Sequence, residues 1–227
     1  MRHKARASVV EQAWKVVLSQ ADKSRVRKAR QDAKNGAVSD VRMGDGTITA
    51  TVRASGPERG TFQVVLPWLA DYTQHGKHVA KWLAHRPDWI AAHFASEWDP
   101  ELLSFLNENG LNVFPDETTF ERLKWEAKCT CSDWQPLCSH MLSLLFYLLA
   151  DADEHPLHVF RFVGLDVEWL LDEAHRESAR WVSEQGERND SVGQRIPSRD
   201  VTIRVNELLG DVEAVSPSGR LAPRFGK

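Results

Sequence analysis
The segment KCTCSDWQPLCSHMLSLLFYLLA, residues 128–150, holds all three cysteines of the 227-residue chain and a histidine two positions after the last. Cys129, Cys131, Cys138 and His140 follow the spacing C-x-C-x6-C-x-H. Alternate residues of a strand share a face, so Cys129 and Cys131 can aim both sulfurs at one point. The spacer SDWQPL suffices for a turn, with Pro136 stiffening its return. Cys138 and His140 then stand at the start of an apolar helix, where free N–H groups and the positive helix end favour thiolate. Three thiolates and one imidazole make the donor set of a tetrahedral structural zinc site, and soft sulfur disfavours magnesium or calcium. A Cys129–Cys131 disulfide would close a very small, strained loop and leave Cys138 unused. A nucleophilic cysteine would need a partner base and would make the spacing a coincidence. Three buried free thiols would leave the offset of the histidine unexplained. The sequence therefore predicts one Zn2+ held by Cys129, Cys131, Cys138 and His140. With all four positions filled by protein, that metal is expected to be structural.

Before the cluster, the chain divides by periodicity. Residues 1–36 read as a basic N-terminal helix running from Ser8 to about Lys34, with Val10, Trp14, Val17 and Ala21 at helical spacing and Asn35-Gly36 as its stop. Residues 37–66 read as a β-meander: AVSDVRM and TITATVRA joined by Gly44-Asp45-Gly46, then TFQVVL. Residues 67–118 read as a helical region punctuated by Pro87 and Pro100, with Asp99 as a cap. Its dense tryptophans are read as core, although a base-stacking surface is the alternative. FERLKWEAKCTC is expected to run as a strand into the cluster. Residues 119–182 contain the finger, the apolar helix from His140 to Ala150, and an amphipathic helix from Asp166 to about Trp181. Residues 183–227 read as a polar linker and basic tail.

Charge separates the classes of function. Residues 1–34 carry ten Lys/Arg against three Asp/Glu, a local +7, while the rest carries 19 against 29. A basic segment on an acidic body suggests contact with an anionic partner, and Arg25, Arg27, Lys28, Arg30 and Lys34 are the candidate phosphate contacts. A solvated helix face is the plain alternative. The pI of about 6.3 argues against a dedicated DNA-binding domain. No phosphate-binding loop, nucleophile elbow or H-E-x-x-H occurs, so an enzyme is not expected. His75 and His78 are read as exposed helix histidines, and Asp151, Asp153 and Glu154 as a solvated loop. No apolar run reaches the length of a membrane span, the N-terminus lacks the form of a secretory signal, and three cysteines suit a reducing compartment; the expected location is cytoplasmic.

The pattern C-x-C-x6-C-x-H, with "CSDW" and "CSHMLSLLFYLLA" around it, resembles the SWIM zinc finger. The order NGAVSDVRM, meander, Trp/Pro-rich helices, FPDE, finger and "HPLHVFRFVGLD" is similar to the bacterial SWIM zinc finger proteins common in actinobacteria, over roughly residues 25–182. The resemblance implies an α+β fold, mostly helical overall: a small antiparallel β-meander, a helical middle and a treble-like strand–turn–helix finger. It also implies binding to DNA or RNA, or contact with a helicase, recombinase or polymerase-type protein; related genes often lie beside a Swi/Snf-type helicase. Two readings follow, a nucleic-acid-binding accessory protein and a protein-interaction adaptor without direct nucleic-acid contact.

Overall fold
The computed structural model describes residues 8–54, 59–133 and 135–191. Two short helices, α1 (Val9–Ala13) and α2 (Lys15–Leu18), precede α3 (Lys23–Lys34). Strands β1 (Val38–Gly44), β2 (Thr47–Ala54) and β3 (Gly60–Pro67) follow, then helices α4 (Gly76–His85), α5 (Pro87–Phe94), α6 (Pro100–Glu108) and α7 (Thr119–Glu126). The chain continues through β4 (Lys128–Cys129), α8 (Ser139–Glu154), a 3-10 helix (Pro156–Val163) and α9 (Val167–Ser191). Residues up to Arg180 belong to one compact unit. The fold is α+β, with one small antiparallel sheet ordered β1-β2-β3-β4. Among the described residues, no helix is long and apolar enough to cross a membrane.

The meander forms where its pattern predicts. Asp45 and Gly46 take positive φ values of 48° and 76°, the mirror-image turn that matches strand twist. Strand alternation then places Val38, Ile48, Ala50, Val52, Val64 and Leu66 on one buried face. Helix α8 lies on that face, touching all four strands, and packs on its other side against α3. Leu142, Leu144, Leu145, Phe146, Leu148 and Leu149 are all buried. Each such side chain contributes roughly 1.5–3 kcal/mol when taken from water, so α8 is the axis of the core. Trp14 and Trp89 are also buried, as expected, whereas Trp125 is 76% exposed.

Four expectations require correction. The N-terminal helix is broken: the Asp22 carboxylate accepts the N–H groups of Ser24 and Arg25 and starts α3 afresh. FERLKWE forms α7 rather than a strand, because Leu123 turns into the core while Phe120 packs against it, a helical i, i+3 spacing, leaving β4 with only two residues. Asp151 does not sit in a solvated loop. It lies on α8, where its Oδ2 meets Arg161 Nη1 at 2.6 Å and His158 Nδ1 at 2.7 Å. Helix α9 continues to Ser191 rather than stopping near Trp181, with Arg176–Glu173 and Arg180–Glu177 pairs at i, i+3 along it. The expected tail from residue 192 lies outside the described residues.

In the helical middle, Pro87 and Pro100 each occupy the first turn of a helix, and the Asp99 carboxylate caps α6 through the Glu101 N–H. His93 of α5 is 4% exposed and accepts the Leu157 N–H at Nδ1, at 3.3 Å. The rings of His155 and His158 stand 5.6 and 5.4 Å away. Burial, then the charge of His158 and His155, pushes the His93 pKa down to about 4. Nδ1 is already an acceptor, so protonation there would break the α5 contact to the 3-10 helix. A folded-state pKa below the unfolded 6.5 gives stability that is complete above about pH 6.5 and is lost as pH falls towards 4. We expect His93→Gln, whose amide oxygen can still accept the Leu157 N–H, to flatten the acid limb of the melting-temperature–pH profile, by up to about 2–3 kcal/mol at pH 4. Parallel acid limbs in the two proteins would contradict this.

Candidate metal centre
The four predicted donors converge. One ligand atom from each of Cys129, Cys131, Cys138 and His140 lies within 4.8 Å of all the others. Cys129 belongs to β4, whose pairing with Val64 of β3 fixes the first sulfur against the sheet. The Thr130 N–H donates to the Gln63 carbonyl at 3.1 Å and carries the chain on to Cys131. Cys138 is the N-cap of α8, and His140 sits in its first turn. Strand, turn and helix end therefore meet at the four donors, with Cys138 and His140 each 1% exposed.

The spacer owes its path to two contacts. Leu137 adopts φ 52° and is 3% exposed, lodged in a core crevice with Trp14, Ile48, Leu66 and Leu142. That left-handed conformation costs about 1–2 kcal/mol for a non-glycine residue, which burial of the leucine side chain offsets. The Asp133 carboxylate accepts the Gln135 N–H and is bridged by Arg25 of α3, with Nη2 to Oδ2 at 3.0 Å. This ion pair ties the basic helix to the spacer.

His140 is placed by packing. Its ring stacks on Phe62 with centroids 4.2 Å apart and planes 18° from parallel. Nδ1 faces Cys129 Sγ at 3.8 Å, while Nε2 is buried without a hydrogen-bond partner. The sulfur side is therefore where this imidazole finds polar contact among the described residues. A tetrahedron built from Zn–S of 2.3 Å and Zn–N near 2.05 Å has edges of about 3.8 Å (S–S) and about 3.6 Å (S–N). The donors thus need to close by about an ångström at most to hold one ion.

The ionisation of the thiols points the same way. A hydrogen bond from Cys138 holds the Cys129 thiol below its usual range. The same bond, with burial added, pushes Cys138 up to about 12, and burial raises Cys131. Without a cation, the surroundings therefore hold Cys131 and Cys138 in the thiol form more firmly than an open thiol. A divalent cation supplies the charge that allows all three sulfurs to ionise, and the protons leave on binding. The donor set thus fits a soft or borderline divalent ion.

The five candidate phosphate contacts divide. Arg25 is engaged with Asp133, and Arg30 is paired with Glu11 and stacked over Phe146 at 4.8 Å. Arg27 and Lys34 are exposed, Lys28 is half-buried, and none of the three has an ion pair among the described residues. His75 and His78 are exposed, as expected. Sequence reasoning missed the Arg25–Asp133 and Phe62–His140 contacts, which join segments far apart in the chain and leave no local signal.

Comparison with known proteins adds no constraint: no family model, curated protein or solved structure matches the chain.

Removing the metal should release the corner. We expect stripping with a chelator, or Cys138→Ser, to speed hydrogen exchange across residues 125–165 and to lower the melting temperature substantially, given an apparent binding free energy of about 10–16 kcal/mol at such sites. An unchanged melt, under conditions confirmed to strip the metal, would contradict it.

Proposed function
We propose that the chain is a SWIM-type zinc module whose single Zn2+, held by Cys129, Cys131, Cys138 and His140, is structural. The observation that carries this reading is the convergence of those four donors within 4.8 Å at the β4–α8 corner. Four protein ligands leave no coordination position for substrate or water, so the role assigned to the metal is to fix the corner, and the chain is read as non-enzymatic.

The module is proposed to serve as a nucleic-acid-binding accessory protein, working beside a helicase, recombinase or polymerase-type machine. Support comes from Arg27, Lys28 and Lys34, which have no ion pair among the described residues and lie on α3, a helix that Arg25 ties to the metal-site spacer. Cations on one helix engage phosphates without reading sequence, so binding should be salt-sensitive and tolerant of base identity. A protein-interaction adaptor is the second reading, favoured by Trp125 at 76% and Phe94 at 73% exposure.

A salt series separates the two. We expect the zinc-loaded protein to bind DNA or RNA at low salt, and Arg27→Glu/Lys28→Glu/Lys34→Glu to weaken that binding at least tenfold with an unchanged melt. A protein that ignores nucleic acid even at about 50 mM salt is an adaptor.

A further inference from the structure
The outer face of the sheet, opposite α8, is a second cationic surface that the sequence reading left unused. Strand register places Arg42, Thr49, Val65 and Lys128 in one row across all four strands. Ser39, Thr51 and Gln63 form the next row, and Arg53 with Thr61 the one beyond. Four strands at about 4.8 Å spacing make this face about 14 Å wide. Arg42, Arg53 and Lys128 are exposed, and their side chains make no ion pair or hydrogen bond among the described residues.

No carboxylate occupies a registered position on this face. Asp40 stands in the β1 bulge at its edge, accepting from Ser39 Oγ, and Glu126 lies 3.8 Å from Arg122 on α7. Between the cations lie hydroxyls and one amide, with Gln63 Nε2 donating to Thr51 Oγ1 at 3.1 Å. Such groups hydrogen-bond phosphate and sugar oxygens. Among the described strand residues no aromatic ring occupies the face, since Phe62 turns to the opposite side to stack on His140. Charge complementarity and hydrogen bonding are what the described residues of this surface offer.

We propose that this sheet face binds the sugar–phosphate backbone of a nucleic acid, with Arg42, Arg53 and Lys128 each neutralising a phosphate. The assignment rests on the reading of the chain as a nucleic-acid-binding module and adds a surface distinct from α3. Because Lys128 adjoins Cys129 in β4, and Gln63 anchors Thr130, the metal corner also fixes one edge of this platform.

Fluorescence anisotropy with a 20-nucleotide single-stranded DNA and its duplex, across about 50–200 mM salt, tests it. For Arg42→Gln/Arg53→Gln/Lys128→Gln we expect affinity to fall at least tenfold near 0.1 M salt. The slope of log affinity against log salt should become shallower by about two to three, from about 0.7–0.9 per phosphate. Melting temperature and zinc content should match the wild type. If Lys128→Gln disturbs zinc content, Arg42→Gln/Arg53→Gln, away from the cluster, should still lower the slope by about one to two. A wild-type affinity and slope in these variants, beside loss of binding in the α3 variant, overturns the sheet assignment alone. Failure of the wild type to bind either probe overturns the nucleic-acid reading and this surface with it.

Discussion
Helix α8 has almost no polar face to give to water, and that constraint organises the molecule. From Leu142 to Ala152 its side chains are mostly buried, so the strands, α3 and the 3-10 helix must cover it on several sides. A helix so enclosed needs its ends fixed. At the C-terminal end, Asp151 is clasped by Arg161 and His158. At the N-terminal end, Cys138 and His140 face Cys129 and Cys131 across a gap of a size that one metal ion could span. Three clustered thiols, that of Cys138 buried, beside a buried imidazole are a poor arrangement on their own, because Cys131 and Cys138 are both held above the usual thiol range. A dication bound there would resolve that conflict, and structural zinc sites bind with about 10–16 kcal/mol, comparable to the stability of a whole domain.

The corner also reaches the surfaces proposed to act. Arg25 links α3 to Asp133 in the spacer, and Thr130 links the cysteine-bearing segment to Gln63 on the outer sheet face. Two cationic surfaces, one helical and one on the sheet, are thus held at fixed distances from a single rigid point. On this account the metal contributes by geometry, preserving the spacing between charges that must meet successive phosphates. Loss of the ion would blur that spacing before it removed any single contact.

Local chemistry explains what was legible in the sequence. Asp45-Gly46 names its own turn, Asp99-Pro100 names a helix start, and C-x-C-x6-C-x-H places four donors on a strand, a turn and a helix end. These signals are short-range, and the structure follows them. The misses occurred where two local readings competed or where the deciding partner was remote. FERLKWE offers both alternation and i, i+3 spacing, and the burial of Leu123 settles it as helix. Asp22 outcompeted continuation of the first helix by capping a new one. Asp151 looked solvated because Arg161 and His158, which bury it, follow only after the chain reverses. Pairing also decided which of the five α3 cations stay available, since Glu11 and Asp133 remove two of them and neither can be inferred from the helix itself.

The most direct test is elemental analysis of protein purified without added metal or chelator, alongside Cys138→Ser prepared identically. The account predicts one zinc per chain in the wild type and little or none in the variant. Wild-type protein that is folded yet carries clearly less than one equivalent of any divalent ion would contradict it.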